Sequence, residues 1–283
     1  MQVSTFQNRL FLGDCLTILP QIPNGIFDLI ILDFPYNMGK DFQNDNLPEA
    51  RFATLLQQWV SAIVPKLKST GSIYCFMGYE YFDLLKAELS KYLTFRRELI
   101  WHYQARGSKV TVKNYLPELD KILFFTKSSN YTFNVLRTKP SRHTIERYAK
   151  STDVEGFVRY EKLPPSLKKK WKSKEQYTKS GRWNIYSGKP LGNLLIVPRV
   201  KVGHPEAKFD KHPTQKPEKL IEIFVKVSSN EGDLVGDFFA GSGTTPVVAK
   251  RLRRKYCGIE IEKKFYNIAM ERLKATPTYE SLF

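Results

Sequence analysis

The chain has 283 residues, 42% of them hydrophobic, enough for one large α/β domain with an insertion or for two modest domains. Its three scattered cysteines, with no CxxC pair and no companion histidine cluster, argue against a disulfide framework and a structural zinc site. No run of about 18 apolar residues and no signal pattern occur, so we expect a cytoplasmic protein without a membrane span or a membrane partner. The net charge of +17 favours a nucleic-acid partner, with solvated surface lysine as the alternative.

Short apolar runs rich in β-branched and aromatic residues predict seven strands, with helical periodicity between several of them. Strands that alternate with helices indicate a mostly parallel sheet covered on both faces. The predicted strands are Arg9–Leu12, Asp28–Leu32, Ser72–Met77, Glu98–His102, Lys121–Thr126, Asp233–Phe238 and Tyr256–Ile261. The predicted helices are Ala50–Leu67, Tyr81–Leu89, Glu218–Val227, Thr244–Arg253 and Lys263–Lys274.

The second predicted strand runs directly into Asp33-Phe34-Pro35-Tyr36. A carboxylate and an aromatic ring therefore stand at the carboxyl end of a buried strand, which is where open α/β sheets bind ligands. Taken alone, the pattern is equally consistent with a helix cap at Asp33 and with core packing of Tyr36.

The stretch from about residue 133 to residue 190 breaks the strand–helix rhythm. From Leu136 to Pro190 there are 15 Lys and Arg against 5 Asp and Glu, a net charge of +10 out of the total of +17. Pro, Ser and Gly punctuate this stretch, as is typical of loops. We therefore predict a basic insert at 135–190 between two segments, 1–134 and 191–283, with a mobile charged loop as the alternative.

A glycine loop follows the sixth predicted strand. Asp237 ends the strand, Gly241-Ser242-Gly243 makes a tight turn, and Thr244 opens a helix whose free N–H groups face a ligand. The next strand ends near Glu260, and an acid there accepts hydrogen bonds from both ribose hydroxyls. The spacing fits neither the GxGxxG fingerprint nor the P-loop. The glycine loop and Glu260 together predict an adenosyl ligand. The alternatives are that the loop is a plain turn and that Glu260 is an ordinary surface residue.

Three motifs in a fixed order make the chain resemble the amino-group DNA methyltransferases, which transfer methyl from S-adenosylmethionine (SAM). They are the tetrad Asp33–Tyr36, the segment 212-HPTQKPEKL-220 and the loop Asp237–Gly243. Their permuted order resembles the β group of that family. The resemblance covers most of the chain and is thin across the basic insert. It implies a Rossmann-like, doubly wound, mostly parallel seven-stranded sheet with circularly permuted motifs and an inserted target-recognition region.

The resemblance also implies roles for the motif residues. Asp33 and the Phe34 carbonyl would accept the two N–H bonds of an exocyclic amine, and Tyr36 would stack on a base flipped out of the duplex. The catalytic set implied is Asp33, Phe34, Pro35 and Tyr36. The cofactor-binding set implied is Asp14, Asp33, Thr214, Gln215, Lys216, Asp237, Phe238, Phe239, Gly241, Ser242, Gly243, Thr244 and Glu260.

Two features of the sequence bear on these implied roles. Phe34 and Phe238 stand where the family usually has proline, which leaves the geometry of both loops less fixed. No Pro-Cys dipeptide occurs, which disfavours methylation of a ring carbon through a cysteine nucleophile. Transfer to an amine needs neither such a nucleophile nor a metal.

In the family the variable region carries target recognition, so the basic insert is expected to bind duplex DNA. Lysines there would neutralise phosphates, and arginine and asparagine have the chemistry for base edges. The candidates are Arg142, Arg147, Lys168, Lys169, Lys170, Lys172, Lys174, Arg182 and Asn184.

Together these features predict a site-specific DNA methyltransferase acting on adenine N6. An aspartate, Asp33, heads the tetrad in this chain, whereas in the family serine more often heads the tetrad of cytosine-N4 enzymes. Cytosine N4 is the first alternative, and RNA is a less favoured substrate. A nucleotide-dependent oxidoreductase and a DNA-binding protein without catalysis are the alternatives from other classes. The resemblance leaves open a homodimer and a partner restriction endonuclease.

Overall fold

A computed structural model of the protein divides into two compact units, one of Met1–Asn134 with Asn193–Phe283 and one of Val135–Gly192. The residues that the structure describes are 2–39, 46–103, 115, 117–140, 142–148, 158–163, 165–168, 173–174, 184, 187–200, 206 and 214–277. None of the helices formed by these residues is long and apolar enough to cross a membrane.

One sheet of eight strands forms the centre of the first unit, in the order β1-β8-β7-β2-β3-β5-β4-β6. Neighbouring strands are parallel except where β5 pairs antiparallel with β3 and with β4. The strands are β1 (Arg9–Leu12), β2 (Phe27–Asp33), β3 (Leu67–Phe76), β4 (Thr94–His102), β5 (Leu119–Thr126), β6 (Leu194–Ile196), β7 (Leu234–Asp237) and β8 (Lys255–Glu260). The arrangement confirms the predicted α/β class and the mostly parallel sheet.

The prediction of seven strands missed β6. This strand is only three residues long, shorter than the four to eight residues by which strands are recognised in a sequence. It lies at the edge of the sheet, and Leu194 and Ile196 are both more than half exposed. The strand exists because β4 offers it a parallel partner, which the local sequence does not reveal.

Six helices formed by the described residues of the first unit cover the sheet. They are α1 (Cys15–Ile18), α2 (Glu49–Ile63), α3 (Phe82–Ser90), α6 (Glu218–Ser228), α7 (Thr244–Arg251) and α8 (Lys263–Ala275). All five predicted helices are present with shifted ends, and a sixth, the short helix α1, was not predicted. The second unit contains α4 (Arg142–Tyr148) and α5 (Pro165–Lys168). Single 3₁₀ turns occur at Val3–Phe6, Leu19–Gln21, Val64–Lys66 and Tyr160–Lys162.

The largest boundary error concerns the predicted helix Ala50–Leu67. The α-helix ends at Ile63, a 3₁₀ turn follows over Val64–Lys66, and Leu67 already belongs to β3. Pro65 has no N–H to donate, so the α-helical hydrogen-bond ladder cannot continue through it, although Val64 keeps helical φ and ψ angles of −57° and −38°.

The core of the first unit explains the two phenylalanines that replace proline. Phe34 is 2% exposed, and its ring centroid lies 5.0 Å from that of Phe239 and 6.0 Å from that of Trp59. Phe238 is equally buried and meets Phe27 edge-on at 5.3 Å. Contacts of this kind between aromatic rings stabilise a core and orient the backbone that carries them. Packing therefore takes over the restraint that a proline ring would supply at both loops.

Candidate active site

A cavity opens at the carboxyl ends of five parallel strands. Asp33, Phe76, Asp237 and Glu260 are the last residues of β2, β3, β7 and β8, and all four line it. Gly13, the first residue after β1, lines it as well. Further predicted site residues that line the same cavity are Asp14, Phe34, Pro35, Tyr36, Thr214, Gln215, Lys216, Phe238, Phe239, Gly241, Ser242 and Thr244. The amino- and carboxy-terminal parts of the sequence thus meet at one site, as the permuted motif order requires.

Five residues with carboxyl groups line this cavity: Asp14, Asp33, Asp237, Glu260 and Glu262. Burial raises the pKa of Asp237 to about 7, hydrogen bonds from Thr245 and from the Phe239 N–H oppose the rise, and the charges of Asp33 and Glu260 add to it. Burial likewise raises the pKa of Glu260, against hydrogen bonds from the backbone. Such mutual repulsion in a buried site favours a cationic ligand, whose charge stabilises the ionised carboxylates.

Glu260 also shapes the glycine loop. One of its carboxylate oxygens accepts the N–H of Gly241 at 2.6 Å, and the other accepts the N–H of Glu262 at 2.8 Å. From the sequence, this acid was expected to bind ribose hydroxyls alone. In the structure each oxygen already binds one backbone donor and retains a second lone pair for a ligand.

The glycine loop has the backbone geometry for which glycine is needed. Gly241 and Gly243 both have positive φ angles, 51° and 76°. Gly243 caps the N-terminus of α7, and a Cβ atom at this position would lie 2.7 Å from the Cβ of Ala269 on α8. Gly243 does not line the cavity, so the structure assigns it to close packing of the loop on α8 rather than to direct ligand contact.

We expect Gly243→Ala to lower the free energy of unfolding by about 2 kcal/mol, from left-handed strain together with overpacking. Urea unfolding followed by circular dichroism measures it. Gly232→Ala is the matched control, because Gly232 also has a positive φ, 86°, but no atom lies within 4 Å of the added methyl group. Equal losses in the two variants would show that contact with Ala269 is unimportant.

The tetrad at the end of β2 is tied to Lys216. The ammonium of Lys216 lies 2.5 Å from Asp33 Oδ2, and it also lies over the rings of Tyr36 and Phe76 at 5.4 and 5.0 Å. Lys216 was expected only to bind the cofactor, so this ion pair was not predicted. Lys216 thus compensates one oxygen of Asp33 in a largely buried position.

The other polar atoms of the tetrad are buried without such compensation. Asp33 Oδ1 and the Tyr36 hydroxyl are both shielded from solvent, and within the described part of the chain neither has a partner at hydrogen-bond geometry, although the Asp33 side chain is near enough to Tyr36 to affect its pKa. Burial and the nearby charges of Asp33 and Asp120 raise the pKa of Tyr36 well above its usual value. Buried acceptors without partners are rare in folded proteins and indicate a site built to receive a donor.

The sequence of the chain matches a known protein family. The model of the N6_N4_Mtase family, described as DNA methylase, matches residues 27–271. The chain belongs to this DNA methylase family. DNA adenine methyltransferase YhdJ of Escherichia coli (strain K12) is 33% identical over 274 residues, 95% of this chain and 83% of the relative. Type II methyltransferase M.HpaI of Haemophilus parainfluenzae is 33% identical over 272 residues, 94% and 74% of the two chains.

Solved structures share the fold at lower identity. The M1.HpyAVI–SAM complex superimposes with a TM-score of 0.59 at 21% identity and covers 94% of this chain and 98% of that chain. The PvuII DNA methyltransferase (cytosine-N4-specific) superimposes with a TM-score of 0.64 at 17% identity, covering 94% and 86%. These likenesses establish the methyltransferase fold for nearly the whole chain.

The residues of this DNA methylase fit SAM, the methyl donor of the family. SAM carries a sulfonium and an ammonium group, and the cavity offers the carboxyl groups of Asp33, Asp237 and Glu260 to them. Trp59, Phe76 and Phe239 supply apolar wall beside these acids, and the sequence analysis did not assign the first two to the site. Their positions depend on packing between distant segments.

The cysteines of this DNA methylase are all buried and unpaired. Burial raises the pKa of Cys15 and of Cys257 to about 12 and raises that of Cys75 as well. Thiols with such values stay protonated at neutral pH and are poor nucleophiles. Cys15 lines the cavity but is therefore unsuited to a covalent mechanism.

The predicted DNA-binding residues of the methylase fall in the second unit and are only partly described. Arg142 on α4 pairs with Glu146 at 2.6 Å, and Lys174 pairs with Glu161 at 3.0 Å. Lys168 donates to the carbonyl of Glu161 at 2.9 Å. Arg147 also lies on α4, and Asn184 is described by itself. Lys169, Lys170, Lys172 and Arg182 lie outside the described residues.

Proposed function

We propose that this DNA methyltransferase transfers a methyl group from SAM to the exocyclic N6 of an adenine flipped out of duplex DNA. The observation that carries the proposal is the buried Asp33 Oδ1, which has no partner at hydrogen-bond geometry in the described part of the chain and lines the same cavity as the glycine loop. An amine bound there would meet an acceptor on one side and the donor site on the other.

The chemistry of the amine explains why acceptors are needed. The N6 lone pair is delocalised into the adenine ring, which makes the nitrogen a weak nucleophile. Asp33 Oδ1 and the Phe34 carbonyl would each accept one N–H bond, which favours a pyramidal nitrogen with its lone pair available. Preorganised groups of this kind stabilise the charge that develops in the transition state. Lys216, held on Oδ2, keeps the carboxylate in place for this role.

Bound SAM supplies an electrophilic methyl group on a sulfonium, which leaves as a neutral thioether. The nitrogen gains the methyl group and a positive charge, and one N–H proton must then be lost. Asp33 Oδ1, as the acceptor of that N–H, would take the proton and release it to solvent once the product leaves the cavity. Tyr36 would stack on the extruded base and offset part of the unstacking cost, about 1–3 kcal/mol.

Adenine is favoured over cytosine for two reasons. An aspartate heads the tetrad in this chain, and the relative YhdJ is named a DNA adenine methyltransferase. The likeness to the cytosine-N4-specific PvuII enzyme is one of fold at 17% identity and does not bear on the base.

The same proposal assigns partners and a place of action. Duplex DNA is the substrate, and the basic unit Val135–Gly192 carries target recognition. The enzyme acts in the cytoplasm. A cognate restriction endonuclease is consistent with the relatives named Type II methyltransferases. A homodimer is consistent with the resemblance to the β group.

Sequencing of modified bases in genomic DNA tests the proposed reaction. The protein is expressed in a host that lacks DNA methyltransferases, and a host with the empty vector is the control. We expect N6-methyladenine at one short recurring motif. N4-methylcytosine instead would replace the proposed base by its alternative. Unmodified DNA despite folded protein, and no methyl incorporation into RNA, would contradict the enzyme.

A further inference from the structure

Arg272 on α8 is a buried cation under the glycine loop. It is 4% exposed, and its Nη1 donates to the Ser242 carbonyl at 2.8 Å, to Ser242 Oγ at 3.0 Å and to Thr244 Oγ1 at 3.1 Å. Its Nη2 donates to Glu218 Oε1 at 2.8 Å. A charge buried this deeply is tolerated only when paired and hydrogen-bonded, so four bonds from one side chain mark a built arrangement.

These bonds determine whether the hydroxyl groups of Ser242 and Thr244 act as hydrogen-bond donors or acceptors towards Arg272. A guanidinium has donors only, so Ser242 Oγ and Thr244 Oγ1 must both act as acceptors toward Arg272. Their own O–H bonds then point away from the guanidinium. Both residues line the cavity, so Arg272 leaves them as donors for a ligand there.

Glu218 connects the same arginine to the catalytic side of the cavity. It is the first residue of α6 and lies two positions after Lys216, which holds Asp33. Arg272 therefore joins the glycine loop to the segment that carries the lysine partner of Asp33. A shift of either segment would break a buried, charge-assisted bond, which is costly.

We propose that Arg272 is a positioning residue for methyl transfer, which sets the glycine loop and its two hydroxyl donors against SAM and fixes that loop relative to Lys216 and Asp33. The inference rests on the proposed function, because it takes the cavity as the donor site. It assigns a role to a residue of the last helix that no motif in the sequence singles out.

Arg251 provides a matched control for this role. It pairs with the other oxygen of Glu218, Oε2, and with Glu222, from a position that is 39% exposed. It lies at the end of α7, and no hydrogen bond joins it to the glycine loop among the described residues. Arg251→Lys and Arg272→Lys therefore alter the same carboxylate, but only the second reaches the loop.

The test compares both variants with the wild type in steady-state kinetics and in calorimetric binding of S-adenosylhomocysteine. For Arg272→Lys we expect KM for SAM and Kd for S-adenosylhomocysteine to rise about 10-fold or more, as loss of one to two charge-assisted bonds implies. KM for DNA should stay within about twofold, because the loop does not face DNA in this scheme. Arg251→Lys should leave all of these constants unchanged.

Several results would overturn the inference. A folded Arg272→Lys with wild-type Kd for S-adenosylhomocysteine is one, and equal rises in KM for DNA and for SAM are another. If Arg272→Lys does not fold, Glu218→Gln retains the shape of the partner and weakens its hold on Arg272. Glu218→Gln is then expected to raise the Kd, and a wild-type Kd in that variant would sink the role. A wild-type protein that binds no S-adenosylhomocysteine would instead refute the proposed function itself.

Discussion

Replacement of Asp33 by asparagine is expected to lower kcat for methyl transfer by about 10²–10³-fold, the usual loss when one preorganised electrostatic group is removed. Asparagine has the same shape but no negative charge, and its amide N–H₂ repels an amine donor. The amide oxygen can still accept from Lys216, but it leaves that ammonium without a counter-charge in a largely buried position. Binding of S-adenosylhomocysteine should change much less, because the acceptor acts on the amine. Single-turnover kinetics on duplex DNA measure the methyl-transfer step directly.

Asp28→Asn is the matched control for this experiment. Asp28 lies near the opposite end of the same strand, pairs with Lys68 at 2.7 Å and accepts the N–H of Leu234 at 2.9 Å. Each variant thus removes an aspartate of β2 that is paired with a lysine, and the two aspartates lie near opposite ends of the strand. Asp28→Asn should reduce stability with kcat nearly intact. A similar loss of kcat in both variants would mean that Asp33 acts through the fold rather than on the amine.

The parts of the site that could be predicted from the sequence are those encoded in short local patterns. Asp33 and Asp237 each follow an apolar run, and the carboxyl ends of parallel strands lie at one edge of a sheet. Gly241 and Gly243 predict a turn with positive φ angles, because few residues other than glycine adopt such angles. These local signals, together with their order, were sufficient to bring both motifs to one cavity.

The parts that could not be predicted depend on contacts between distant segments. Lys216 meets Asp33 across 183 positions of sequence, and Arg272 reaches Ser242 across 30. Lysine and arginine side chains are usually solvated, so the sequence does not show that either residue has a buried partner. The same holds for β6, which is defined by its pairing with β4. The role of the basic insert stays a prediction, since four of its candidate residues lie outside the described part of the chain.

Asp237 should make the stability of the ligand-free protein depend on pH. Its pKa is about 7 in the folded protein and 3.8 for an unperturbed carboxyl, with burial as the main cause of the rise. The folded state therefore holds the proton more tightly than the unfolded chain. The stability contributed by the protonated form is fully present below pH 3.8 and is lost as the pH rises through about 7. The loss amounts to at most about 4 kcal/mol.

Asp237→Asn removes this titration, because an amide stays neutral over the whole range. At pH 5 the variant should be only slightly more stable than the wild type, and at pH 8 its advantage should grow by a few kcal/mol. Urea unfolding at several pH values gives both free energies. The control is Asp233→Asn. Asp233 lies just before β7, and its carboxylate also accepts a backbone N–H, that of Asn230. The same pH-dependent advantage in the control would contradict the assignment to Asp237.

The same group should couple cofactor binding to pH in the opposite direction. A sulfonium or ammonium near Asp237 stabilises its ionised form, so binding of SAM should release a proton when the pH is below about 7. The affinity of the wild type for SAM is then expected to rise about 10-fold between pH 6 and pH 8. Asp237→Asn should bind more weakly at pH 8 and with a flatter profile. Calorimetry in buffers of different ionisation enthalpy would count the released proton, and identical proton release in wild type and variant would exclude Asp237 as its source. A carboxyl group that destabilises the empty protein at neutral pH is therefore expected to be the one that selects a cationic donor.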